Sequence, residues 1–309
     1  MKFAHTALPA LLLALGAASW AQPTQPAVEQ LLDKLEAQRR ILHDWAGLIR
    51  YGSANTEVRP PKPGETRVVF LGDDHTERWG EGPTPFFPGK PYFNRGIAGQ
   101  TSAQMLVRFR QDVVTLQPSV VVIQAGANDL AGIAGPATTP MIAENILSMI
   151  DIAKANGIRV VLASVPPVCD CAGTKQSTKR PIGKIMGVNE WMEEQAAKSG
   201  AVFLNLAPAL GGRTLKKEMT VDGFLLNEAA YQAMAPLAEQ AISAAVQTPA
   251  QAGVASTMFR NSYAAARPGA LCGRVPQTPA KAGVASTMFR NSYAADRPGA
   301  LCGREPQKI

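Results

Sequence analysis

Short, continuous apolar runs alternate along the chain with longer stretches whose apolar residues recur every three or four positions. Five runs predict strands, over residues 67–71, 91–95, 119–124, 159–165 and 202–206. The unbroken run Val120, Val121, Val122 and Ile123 is the pattern of a strand buried on both faces. Helical spacing fills the gaps. Over residues 101–114, Met105, Leu106, Phe109 and Val113 line one face, and Thr101 and Gln104 have capping-box spacing. Thr139 is placed to cap the next helix, with Pro140 in its first turn, Ile142, Ile146 and Met149 on its apolar face, and Gly157 at its end. Residues 181–198 read as helical. Asn227 caps a last helix carrying Tyr231, Met234, Leu237 and Ile242. Strands alternating with helices predict a parallel sheet covered on both faces, a three-layer α/β/α sandwich. Ligands of such sheets bind beyond the carboxyl ends of the strands, where strand order reverses, so the turns after the first three strands should converge.

The flanks read differently. Residues 1–21 have the form of a secretory signal: Lys2, an apolar stretch from Leu8 to Leu15, and Ser19-Trp20-Ala21 as a cleavage site. This predicts export to a periplasmic or extracellular location. Residues 27–46 predict an amphipathic helix through Val28, Leu31, Leu32, Leu35, Leu42 and Trp45. Both charge signs and the lack of a basic face favour packing on the main domain over a membrane surface. Residues 51–66 hold Pro60, Pro61, Pro63 and Gly64 and read as a linking loop. After residue 246 the pattern stops. Gln247-Thr248-Pro249-Ala250 recurs 30 residues later as Gln277-Thr278-Pro279-Ala280, and residues 255–263 recur as 285–293. Two copies are fewer than a solenoid needs, and the Ala, Pro, Gly and Arg content predicts a weakly ordered tail. The expected organisation is a signal over 1–21, a helix and linker over 22–59, an α/β domain over 60–246 and a basic repeated tail over 247–309.

Charge locates the excess. Net charge is +7 over 309 residues, but residues 247–309 carry six Arg and two Lys against one Asp and one Glu. The rest is close to neutral, which argues against a nucleic-acid-binding domain. The basic tail could tether the protein to an acidic envelope surface, although a duplication by itself implies no role. Cys169 and Cys171 lie too close in sequence to bridge comfortably, and Cys272 and Cys302 occupy equivalent positions of the two repeats. No His or Cys spacing predicts a metal site, and no cofactor is implied.

Four polar blocks follow the strands in order. They are Gly72-Asp73-Asp74-His75-Thr76, residues 94–101 (Asn-Arg-Gly-Ile-Ala-Gly-Gln-Thr), Gly126-Ala127-Asn128-Asp129, and residues 221–228 with Asp222 followed by Leu225. In this order they resemble the signature blocks of the SGNH or GDSL ester hydrolases: Gly-Asp-Ser-x-Thr, a glycine block, Gly-x-Asn-Asp and Asp-x-x-His. The resemblance covers roughly residues 60–245 and implies a flavodoxin-like sheet and a carboxylic ester hydrolase by descent, acting on short acyl esters of carbohydrates or lipids.

The family mechanism uses a serine nucleophile, a histidine base oriented by an aspartate, and an oxyanion hole. Carried over by position, Gly99 and Asn128 are the oxyanion donors and Asp222 is the orienting carboxylate. Asp74 stands at the nucleophile position and Leu225 at the base position. Serine-based activity is therefore expected to be weak or absent. The alternative is a non-catalytic protein that binds a sugar or an acylated ligand. Asp74 is expected to place its carboxylate in the hole that normally receives the reacting oxygen. Asp73 and His75 are the candidate substrate-facing neighbours, His75 as a partly exposed side chain paired with a carboxylate. Asp73 and Asn128 also have plain roles in turn formation. Asp73, Asp74 and Asp222 are read as solvated or hydrogen-bonded carboxylates rather than metal ligands.

Overall fold

A computed structural model describes residues 28–33, 35–36 and 43–248. The expected signal and nearly all of the repeated tail, with Cys272 and Cys302, lie outside the described residues, as does Leu42. Among the described residues, five parallel strands form one sheet: β1 (Val68–Gly72), β2 (Tyr92–Gly96), β3 (Val120–Gln124), β4 (Arg159–Ala163) and β5 (Val202–Leu204). Their order is β2-β1-β3-β4-β5. This is the flavodoxin-like order, and it reverses between β1 and β3.

Two-sided burial explains the apolar runs. Every residue of β1 and of β3 is buried. Alternate side chains feed opposite cores. Val69, Leu71, Val121 and Ile123 face one layer, while Val68, Phe70, Val120 and Val122 face the other. The first layer holds α3 (Ser102–Asp112), α5 (Thr139–Ala155) and α7 (Ile182–Ser199), through Met105, Phe109, Ile146, Met149 and Val188. The second holds α9 (Glu228–Gln247), through Tyr231, Met234, Ala238 and Ile242, with Phe87 stacked on Phe70 and Trp79 meeting it edge-on. Short helices α1 (Gly52–Glu57), α2 (Asp74–Glu77), α4 (Ala127–Leu130), α6 (Gln176–Lys179) and α8 (Ala207–Leu210) sit in the connections.

Local signals acted largely as expected. Thr101 and Gln104 form a capping box, the Asn227 side chain accepts from Ala230 N, and Gly157 follows α5 at a φ of 69°. Four expectations change. The cap of α5 is Thr138, whose hydroxyl accepts from Met141 N, so Thr139 is the first helical residue. Residues 52–57 are helical rather than looped, because the Asn55 side chain bonds Gln111 O, Asp112 and Arg95 and pins the segment to α3 and β2. Residues 28–33 and 35–36 are helical, but Val28, Leu31, Leu32 and Leu35 are exposed instead of packed on the domain. The segment docks further on, where Ala46 O and Trp45 O accept from the Gln100 and Gln104 side chains. Finally, Cys169 and Cys171 are joined in a disulfide. Among the described residues no helix is long and apolar enough to cross a membrane.

Candidate active site

The first three strands pair directly, so their terminal turns are neighbours. Glycine lets the first turn fold back onto the sheet. A Cβ on Gly72 would lie 2.0 Å from Thr76 Oγ1, and one on Gly96 would lie 2.0 Å from Glu77 N. Helix α2 therefore rests on the ends of β1 and β2. Asn94 fastens it there, its amide donating to Thr76 O at 2.6 Å and to Trp79 O at 3.1 Å. Gly99 is needed for a different reason: it has open space around it but a φ of +77°.

Asp74, the first residue of α2, meets both expected donors. Its Oδ2 accepts from Gly99 N at 2.9 Å and from Asn128 Nδ2 at 2.7 Å. Asn128 comes from α4, directly after β3, and is buried. Its Nδ2 also donates to Gln100 O at 3.1 Å, and its Oδ1 accepts from Arg180 Nη2 at 3.0 Å. A carboxylate anion thus sits where two converging N–H groups point, in the bond type that is strongest when one partner is charged.

Asp73 and His75 lie behind this site. Both side chains are 1% exposed, so the expected partly exposed histidine is instead interior, and neither side chain reaches solvent to meet a ligand. The cause is the tight α2 turn, which aims residue 74 outward and residues 73 and 75 inward. Asp73 caps that turn through His75 N at 3.2 Å. His75 Nε2 lies 3.0 Å from Phe224 O. A carbonyl only accepts, so Nε2 carries a proton. Nδ1 faces Asp73 Oδ1 at 3.5 Å, a charge contact longer than an ordinary hydrogen bond. Burial pushes the His75 pKa down, but the Asp73 carboxylate, the Phe224 carbonyl and the charge of Asp74 more than offset it, and the net direction is up. His75 thereby ties the first block to the fourth.

The fourth block is held by Asp222. Its Oδ1 accepts from Phe224 N at 2.9 Å and Leu225 N at 2.7 Å, so this carboxylate shapes its own turn. Leu225 packs against the apolar core. The three aspartates are therefore engaged separately. Among the described residues no group of three His, Cys, Asp or Glu is arranged to hold a metal.

Three charged residues of the site were given no role by the sequence reading. Asp129, the last residue of the third block, accepts from Ser102 N at 2.9 Å and from Ser102 Oγ at 2.6 Å; burial raises its pKa against the opposing pull of these bonds. Arg108, fully buried on α3, donates to Gly72 O, Arg95 O and Asp112 and so joins the ends of β1 and β2. Its position among Met105, Phe109 and Asp112 on the inward face was readable from helical spacing. Arg180 offered no such signal, because it follows Lys179 in a loop that reads as solvated.

A parallel sheet reversing at β1 and β3, with four polar turns meeting beyond the reversal, defines the α/β scaffold of SGNH-type hydrolases. The chain belongs to the GDSL-like lipase/acylhydrolase family, which it matches over residues 64–233. It is similar to a presumptive acylhydrolase from Bacteroides fragilis, with 37% identity and a TM-score of 0.62 over 66% of this chain and 99% of that one. It is likewise similar to a GDSL-like lipase from Bacteroides thetaiotaomicron, with 37% identity and a TM-score of 0.60 over 65% and 98%. No curated protein sequence matches the chain.

Proposed function

We propose that the protein is an exported member of the family that retains the ligand pocket of an esterase of short acyl esters of carbohydrates or lipids, with serine-type hydrolysis weak or absent. The observation that carries this reading is the Asp74 carboxylate bonded to both Gly99 N and Asn128 Nδ2. An oxyanion in formation would need the same two donors. Among the described residues, no side chain beside Asp74 replaces the missing chemistry. Attack by a carboxylate would produce an anhydride, whose hydrolysis needs an activated water. Leu225 has no proton to move, and His75 is buried with Nε2 committed to Phe224 O. The export part of the proposal rests on the pattern of residues 1–21.

The test is hydrolysis of a short-chain nitrophenyl ester by the mature protein and by the Asp74→Ser, Leu225→His double variant. Activity confined to the double variant, at least about 100-fold above the unaltered protein, is the expected result. Turnover by the unaltered protein that is abolished by Asp74→Ala would overturn the reading and point to a rewired mechanism.

A further inference from the structure

We propose that Arg180 is the positioning residue of the anion site: it fixes the Asn128 amide with its N–H end toward position 74. The inference rests on the reading of Gly99 and Asn128 as the donors of that site, and it assigns a function to a residue outside all four blocks.

The two ends of an asparagine amide are nearly the same shape, so something must decide which one faces the site. Asn128 Oδ1 accepts from Arg180 Nη2 at 3.0 Å, while Nδ2 donates to Asp74 Oδ2 at 2.7 Å and to Gln100 O at 3.1 Å. Turning the amide over would set N–H against guanidinium and carbonyl oxygen against carboxylate. Arginine is suited to this task because it only donates and is always charged.

Arg180 is itself held rigidly. It is buried, with Nε donating to Ala127 O at 3.0 Å and Nη1 to Gln176 Oε1 at 3.0 Å. Its guanidinium lies over the Phe224 ring, 3.5 Å from the centroid. All three of its hydrogen-bond acceptors are neutral oxygens. Its charge is answered at longer range by Asp73, Asp74 and Asp222, which oppose the lowering of its pKa by burial. The guanidinium, the Asn128 amide and the Asp74 carboxylate therefore form one hydrogen-bonded line of contacts, donor to acceptor at each step. That line favours negative charge at the site, whether on Asp74 or on an oxyanion in its place. One side chain also spans the third block through Asn128 and the fourth through Phe224.

The experiment reads the Asn128 side-chain amide by NMR in the otherwise unaltered protein, comparing it with Arg180→Gln and Arg180→Lys. The Lys variant keeps the charge and covers the case in which the Gln variant does not fold. The amide protons are expected to be shifted and slow to exchange in the unaltered protein, and to lose both properties in a folded Arg180 variant. In the Asp74→Ser, Leu225→His background, Arg180→Gln should lower kcat for the nitrophenyl ester about 100-fold, the scale of losing one oxyanion donor, with KM changed less than about twofold. Unchanged amide signals in a folded Arg180 variant would overturn the proposal. An inactive double variant with amide signals that still depend on Arg180 would instead overturn the hydrolase-derived reading of the pocket and leave the positioning role standing.

Discussion

At the scale of the residue, two neighbours in one turn have opposite fates. Asp74 faces outward to the donor pair, and His75 faces inward to Asp73 and Phe224 O. The His75 pKa is raised in the folded protein, so folding takes up a proton more readily than the open chain does. Its stabilisation is complete below the unfolded pKa and is lost as pH rises through the folded one. His75→Gln keeps an N–H for Phe224 O but cannot become cationic. Unfolding free energies measured from about pH 5 to about pH 9 should show the variant less stable at the acid end, with the gap closing as pH rises. A gap constant with pH would show that folding leaves the His75 pKa unchanged, and a gap that narrows toward the acid end would show that His75 stays neutral in the fold. The residue types of this turn were legible in sequence, but their directions were not. Facing inward or outward depends on the fold-back of α2 over Gly72 and Gly96, which is a packing event.

At the scale of the element, glycines with different duties carry the site. Gly96 gives space, because a Cβ there would strike the backbone of Glu77. Gly99 gives conformation, because its surroundings are open and its φ is +77°. Gly99→Ala is expected to cost roughly 1–2 kcal/mol of left-handed strain. Gly96→Ala forces α2 off the end of β2, at the upper end of the roughly 1–3 kcal/mol typical of overpacking, or beyond it. Urea midpoints of the two variants check the order, and a smaller loss for Gly96→Ala would contradict the account of how α2 is seated. Helix and strand identities were well announced by periodicity and caps. The α1 helix was not. Its residues 52–57 have no buried position, and it is secured by Asn55 reaching Asp112 and Arg95, some 40 to 57 residues away.

At the scale of the whole molecule, the strand ends are joined by a buried charge. Arg108 bonds Gly72 O at the end of β1, Arg95 O in β2 and Asp112 at 3.0 Å on its own helix. Arg108→Met leaves Asp112 buried with only the Asn55 amide, at 2.7 Å, and should destabilise the protein by roughly 3–5 kcal/mol. Adding Asp112→Leu should recover much of that loss, and a double-mutant cycle by denaturant unfolding measures it. Additive losses would mean that the two charges act independently. Sequence alone determined the alternating strands and helices and hence the layers, because apolar periodicity and helix caps are local properties that repeat along the chain; the strand order was implied only by the family resemblance and is fixed by the pairing in the structure. The resemblance of the four blocks also led to the expectation that Asp74 and Leu225 stand where the family carries its serine and histidine. Only the tertiary structure decided that the Asp74 carboxylate meets Gly99 and Asn128, 25 and 54 residues away. Only it decided that His75 is interior and that Arg180 backs the Asn128 amide. Each of these pairings joins loops remote in sequence through single side-chain directions, and no periodic pattern records a direction fixed by the packing of another loop.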